Sequence, residues 1–397
     1  MPPPVRPAIT TAMETPPQPS FTVDGNRLTL LDTGPRRLDG LIALIDRAER
    51  TLRILYYIYA DDDAGRRVNC AMIAAAERGV AVSLIVDGFG SEDTAATFFA
   101  PLEQAGVSVC RFSPRFGRRY LLRNHQKLAL ADEASIIIGG FNVEDDYFGM
   151  PADASWQDLG LLVEGPAAGR MAGYFDALHE WVTSAKGRLR HLNRALAQWS
   201  ETEGTTRWLI GGPTRKLSPW AKALRSDMRR ATRIDLIAAY FTPSPSLLRR
   251  LDKAGRRRAA VRIVTAAKSD NNATIAAARF TYAGLLRNGV ALFEYQPSKL
   301  HTKLYVVDDA VHIGSANFDM RSLFINLELM LRIEDRVFAN HVRTYVDGEI
   351  AKSQAITPAW YKAQTGPIQR LRQFAAYLLI AVVDPGLSRG LNFGIDE

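Results

Sequence analysis

The chain has 397 residues, 47% of them hydrophobic and 23% charged, with only two cysteines, Cys70 and Cys110. That length carries more than one domain with a sizeable core, and the composition excludes a disulfide-stapled miniature fold and a disordered chain. The balance of 50 Lys and Arg against 42 Asp and Glu leaves a net charge of +8, which suits an anionic partner, either nucleic acid or an acidic membrane.

In chain order, residues 1–20 are rich in proline and lack the basic start and apolar core of a secretory signal, so they read as a disordered tail. Stretches 38–50 and 69–78 repeat apolar residues at three and four, the helical period, with charge on the opposite side. Between them and after them, the short β-branched runs 52–58, 80–87 and 106–111 read as strands. The same order of signals returns about 180 residues later as 234–240, 260–265 and 289–294. This α/β alternation predicts two similar α/β/α sandwich halves, 21–190 and 206–365, joined by a polar linker at 191–205. Helices between strands further predict parallel strands joined by crossovers. The segment 366–397 contains a ten-residue uncharged run, 374–383, against the ~20 residues a bilayer-spanning helix requires. It is expected either to lie in a membrane interface or to dock on the core.

Each half ends in one constellation: a His-x-Lys-x4-Asp run, a small-residue turn and an asparagine. In the first copy these are His125, Lys127, Asp132, Gly139, Gly140 and Asn142; in the second they are His301, Lys303, Asp308, Gly314, Ser315 and Asn317. His and Lys two apart on a strand share a face, so one face of the strand is expected to be buried and the other to react. Gly140 and Ser315 let backbone amides approach a phosphate. Two such units about a pseudo-twofold axis would gather two imidazoles, two ammonium groups and two amides around one phosphodiester. A neutral imidazole serves as nucleophile, the second moves a proton, and Lys and Asn donors stabilise the developing charge. Neither a metal nor an organic cofactor is required. The six histidines include no pair at HExxH spacing. Asp158 and Glu328, downstream of each copy, are placed to hold an imidazole through its other nitrogen, while Asp132 and Asp308 suit a turn-capping role. His179, His191, His312 and His341 have no repeat partner and read as ordinary histidines.

The paired runs His125–Asp132 with Gly139-Gly-Phe-Asn142, and His301–Asp308 with Gly314-Ser-Ala-Asn317, resemble the phospholipase D superfamily. The flanks 139–149, 156–159, 163–166 and 314–323 are similar to its cardiolipin synthase branch. The resemblance implies one active site shared at the interface of the halves, and transfer of a phosphatidyl group from one phosphatidylglycerol to another through a phosphohistidine, with release of glycerol. It implies His125 as nucleophile and His301 as general acid and then base, although pseudo-symmetry allows the reverse. Gly140 departs from the pattern, and the Asp-to-Gly spacing is one residue shorter in the second copy, a tighter turn expected to leave His301 and Lys303 in place.

Two other readings stand beside transfer. One is phosphodiester hydrolysis, of phospholipid or nucleic acid, with water as acceptor; the other is a vestigial site on a membrane-binding protein. The basic clusters are not interleaved with stacking aromatics, so a nucleic-acid partner is not expected. The expected partner is an anionic phospholipid met peripherally at the cytoplasmic face of the membrane. Arg111, Arg115, Arg118, Arg119 and Arg123 either guide lipid headgroups to the site or form a solvated loop. Arg249, Arg250, Lys253 and Arg256–Arg258 suit the solvent face of a helix.

Overall fold

The computed structural model describes residues 18–113, 122–184, 189–214 and 217–383. Most of the proline-rich tail, together with Arg115, Arg118 and Arg119, lies outside them. The first half builds an eight-stranded sheet from β1 (Ser20–Val23), β2 (Asn26–Leu31), β3 (Thr51–Tyr56), β4 (Ala81–Asp87), β5 (Ser108–Phe112), β6 (Leu128–Ala131), β7 (Ser135–Gly139) and β8 (Gly160–Glu164), in the order β1-β2-β8-β7-β6-β3-β4-β5. The second half follows with β9 (Thr206–Gly211), β10 (Arg233–Ala238), β11 (Ala260–Ala266), β12 (Ala291–Tyr295), β13 (Lys303–Val307), β14 (Ala310–Gly314), β15 (Glu328–Glu334) and β16 (Ser353–Ile356), in the order β16-β12-β11-β10-β13-β14-β15-β9.

The two orders superimpose strand for strand except at one position: β1 extends the first sheet beyond β2, whereas β16 extends the second beyond β12. Parallel pairing occurs where helices link the strands, as expected, but it does not extend through the sheets. Only β3-β4-β5 and β10-β11-β12 run parallel, each linked through a helix, and the remaining pairs are antiparallel. The cause is the hairpin after each histidine motif, which folds β6 onto β7 and β13 onto β14 without a crossover. The first hairpin turns through Asp132–Ala134 and the second through Asp308–Asp309, which accounts for the shorter spacing.

Alternation along these strands divides the core. Leu128, Leu130, Ile136 and Ile138 face inward and join Leu304, Val306, Val311 and Ile313 in one apolar cluster that unites the halves. Ala129, Ala131 and Ile137 face outward, onto the helices Gly34–Asp46 and Asp63–Glu77. Tyr305 and Val307 do the same in the second half, where Tyr305 stacks on Trp220 of the helix Pro219–Asp227. Both strand faces are therefore buried, not one as the alternation suggested. The 191–205 connection is mostly helical, Leu189–Trp199, and places Leu192 and Leu196 in the shared cluster. The basic residues from Arg249 to Arg258 are mostly exposed on the helix Pro245–Arg256 and just beyond it. No helix among the described residues is long and apolar enough to cross a membrane.

Candidate active site

The two histidines sit just before β6 and β13, at the seam between halves. Main-chain bonds across the seam fix them. His125 N–H donates to Leu327 O (2.9 Å) and Leu327 N–H to Arg123 O (2.9 Å); His301 N–H donates to Gln157 O (2.7 Å) and Gln157 N–H to Lys299 O (2.8 Å). Leu327 precedes Glu328 and Gln157 precedes Asp158, so each half delivers its carboxylate to the other half's imidazole. His301 Nδ1 lies 2.6 Å from Asp158 Oδ2, and His125 Nδ1 lies 3.1 Å from both Glu328 oxygens.

Both carboxylates are fully buried. Burial alone would raise them, but Lys303, His301 and Arg37 hold Asp158 below the usual carboxylate range, and His125, Lys127 and the Ser315 hydroxyl do the same for Glu328. An ionised carboxylate only accepts, so each imidazole carries its proton on Nδ1 and leaves Nε2 bare. Burial, reinforced by the nearby lysines and opposed by the paired carboxylates, lowers His125 to about 4 and His301 to about 3. Both rings are neutral at pH 7. They line one cavity of about 730 Å3 together with Asn142 and Asn317.

Lys127 and Lys303 are buried beneath the histidines, and each Nζ donates to the carbonyl of its own motif's histidine. Burial drives Lys127 well below the ordinary lysine value and Lys303 to about 8. Asn142 accepts from Ile58 N–H and donates one amide hydrogen to the Tyr147 hydroxyl, whereas Asn317 Oδ1 has no partner among the described residues. Asp132 accepts from Glu49, Arg50 and Thr51 N–H, and Asp308 from Thr232 and Arg233 N–H. Both therefore lie at the far strand ends, away from the cavity.

The small-residue positions differ from the phosphate-facing role expected of them. Ser315 Oγ donates to Glu328 Oε2 (2.5 Å) and accepts from Leu329 N–H (3.0 Å), so its hydroxyl is committed to the carboxylate behind His125. Gly140 lies against the other carboxylate: a Cβ there would sit 2.5 Å from Asp158 Oδ1 and 2.9 Å from Lys303 Cδ. The first half has no room for the serine that the second half uses.

Other residues of the site lie outside the motifs. Arg37, fully buried, donates to the carbonyls of Tyr147, Trp156 and Asp158 and so clamps the segment that presents Asp158. In the second half, Ser322 Oγ donates to Glu328 Oε1 (2.7 Å), and Trp220 Nε1 donates to Ser322 O. Glu144 and Asp319 both line the cavity, two residues past their asparagines; burial raises them to about 7 and about 6. That equal spacing was a signal available in the repeat. Of the arginine group before His125, Arg111 donates to Thr94 O, while Arg123 stacks 3.5 Å over Phe89 at the cavity wall. His312 is buried on Asp227, His179 abuts Cys110, His341 packs on Phe21, and His191 is exposed.

Two α/β halves that share a single cavity through crossed imidazole–carboxylate pairs define a bipartite protein of the phospholipase D type. The chain belongs to the family described as cardiolipin synthase, PLD-like domain, whose profile matches residues 41–179 and 224–349. It is 31% identical over 366 residues to cardiolipin synthase A of Pseudomonas fluorescens, covering 90% of this chain and 75% of that one. It is 30% identical over 345 residues to cardiolipin synthase B of Escherichia coli, covering 83% and 81%. Among solved structures, phosphatidylserine synthase of Haemophilus influenzae matches with a TM-score of 0.70 at 12% identity, over 89% of this chain and 95% of that one. Polyphosphate kinase of Porphyromonas gingivalis matches with a TM-score of 0.56 at 14% identity, over 89% and 52%. At those identities the two structures share the fold.

Proposed function

We propose that the protein is a phosphatidyltransferase of the cardiolipin synthase type, which joins two phosphatidylglycerol molecules and releases glycerol. His125 Nε2 attacks the phosphorus of the first lipid. The bond from phosphorus to the headgroup oxygen breaks, and glycerol leaves with a proton from His301. A hydroxyl of the second lipid then returns a proton to His301 and attacks the phosphorus; the P–N bond breaks and His125 is restored.

His301 must be protonated for the first step. A phosphate anion about 4 Å away, at an effective dielectric of about 20, favours the imidazolium by about 4 kcal/mol, about three pH units. That brings a group at about 3 to near 6, so the substrate charges its own acid. Burial lowers Lys127 and Lys303, and a bound phosphate opposes that by favouring their charged forms, while Asn142 and Asn317 stand beside the phosphoryl group. Asp158 and Glu328 orient the rings and offset the imidazolium charge. The reaction is placed at the cytoplasmic face of the membrane, with peripheral attachment favoured by the net charge of +8.

The observation that carries this reading is the crossed pairing, His125 on Glu328 and His301 on Asp158, facing one cavity. The test incubates purified protein and the His125→Ala variant with phosphatidylglycerol vesicles and follows the lipids by mass spectrometry. Cardiolipin and glycerol in equal amounts, lost in the variant, are expected. Phosphatidic acid alone would replace transfer by hydrolysis.

A further inference from the structure

The helix Pro367–Leu378 and the π-helical turn Leu379–Val383 have one side that the fold uses and one that it does not. The used side lies on the helix Asn272–Arg287. Gln373 is buried and accepts from the Tyr361 hydroxyl, and the rings of Phe374 and Tyr377 stand 5.3 and 5.1 Å from Phe280. The other side shows solvent a row of large apolar residues, Ile368 (72% exposed), Leu371 (67%), Leu378 (36%) and Leu379 (56%), with Phe374 (43%) at the edge between the two sides. Ile368, Leu371, Phe374 and Leu378 follow one another at three and four, which puts them on one face, and Leu379 adjoins Leu378 at its end. Elsewhere among the described residues the exposed large apolar side chains are single: Phe89, Met150 and Val337. Isolated exposed apolar residues are ordinary, but a contiguous stripe marks a contact surface.

Three features specify what covers it. At 100° per residue the stripe spans roughly 140° of the helix, with Arg370 and Arg372, both exposed, falling one on each side. An apolar arc edged by cations fits an anionic headgroup layer. The stripe also runs into the active site, because Leu379 and Ile380 line the catalytic cavity, as does half-exposed Phe89 from the first half. Finally, twelve helical residues extend about 18 Å, too short to cross a bilayer and long enough to lie in its surface.

We infer that this face is the membrane-docking surface of the protein: the helix lies in the headgroup layer of an anionic phospholipid bilayer, and its end at Leu379 leads lipid directly to the histidines. The choice of lipid as occupant rests on the proposed transfer reaction. The docking surface would also keep the cavity mouth at the bilayer, so that both lipids reach it without leaving the membrane.

The test is flotation with vesicles of phosphatidylglycerol and phosphatidylcholine, in a His125→Ala background so that no turnover alters the lipid. Ile368→Ser combined with Leu371→Ser, neither of which lines the cavity, is expected to weaken binding about 100-fold, since each removes several carbons from the apolar layer. Ile368→Leu with Leu371→Ile should bind as the parent does. With His125 present, the Ser pair should lose activity on vesicles and keep it on a soluble phosphodiester. Undiminished vesicle binding by the Ser pair overturns the inference. So does light scattering that finds a parent dimer made monomeric by the Ser pair with vesicle binding retained, which would assign the stripe to a second copy. Loss of vesicle binding in a protein whose His125 form makes no cardiolipin would refute the transfer reaction and leave the docking surface standing.

Discussion

Asp158→Asn perturbs the site by removing one charge while keeping an oxygen for the His301 Nδ1–H. In the wild type that hydrogen bond is 2.6 Å long and fully buried, placing the imidazolium and carboxylate charge centres about 4 Å apart. At an effective dielectric of about 20 their attraction is about 4 kcal/mol, so the variant should protonate its leaving group about 1000-fold more slowly. Because the pairing is crossed, the consequence depends on the leaving group. Release of glycerol from phosphatidylglycerol needs a proton from His301 and should lose the full factor in kcat. Release of p-nitrophenolate from a soluble p-nitrophenyl phosphodiester needs no proton, and its burst should fall by about tenfold at most. Glu328→Gln, which acts on His125, should instead slow the burst itself. Stopped-flow measurement of the burst, with steady-state cardiolipin formation in parallel, separates these outcomes. An Asp158→Asn burst slowed as much as that of Glu328→Gln, or a loss confined to KM, would refute the reasoning.

Gly140→Ser should not supply a missing phosphate contact but should displace Asp158, given the 2.5 Å approach of the new Cβ, and kcat on phosphatidylglycerol is expected to fall at least about tenfold; equal or higher activity would contradict the packing argument. Lys303 carries its charge below about pH 8 and loses it above, because burial has depressed it from 10.5. Hence kcat/KM for a soluble phosphodiester should decline as pH rises through 8, while kcat, which reports the occupied site where phosphate restores the ammonium, persists to higher pH; a kcat/KM flat to pH 9.5 would contradict this. Asp308→Ala removes the acceptor of one exposed and one part-buried strand-start amide, at a cost of about 1 kcal/mol in urea unfolding, with kcat within about twofold of wild type; a large loss of kcat would move Asp308 into the chemistry.

The reach of the sequence is clearest at the repeat. Spacing alone put His125, Asn142, His301 and Asn317 in corresponding positions, because local strand and turn geometry is written in contiguous residues. Asp158 and Glu328 were legible as acids that hold an imidazole, but which imidazole each holds is decided by the 157–300 and 124–327 bridges across the seam. No local pattern encodes those bridges. Ser315 looked like a phosphate ligand because its partner, Glu328, is thirteen residues away and reaches it through a strand pairing. Arg37 carries no motif at all; its role comes from burial against three carbonyls more than a hundred residues distant. Strand direction was legible where a helix or a hairpin connects neighbours and not elsewhere in the sheets. The β-branched runs mark strands equally well in either direction, and only the helix or hairpin that connects them decides which sense is possible. The terminal segment was read as either docked or membrane-facing; one side of its helix docks on Asn272–Arg287 and the other exposes an apolar stripe.

The most direct measurement of the central claim is to quench the reaction with phosphatidylglycerol within milliseconds, digest at alkaline pH and locate the lipid-phosphate adduct by mass spectrometry. The account predicts a phosphatidyl group on the peptide containing His125, accumulating in His301→Ala when the first lipid carries a p-nitrophenyl headgroup that leaves unaided. An adduct on His301, or full turnover by His125→Ala, would contradict it.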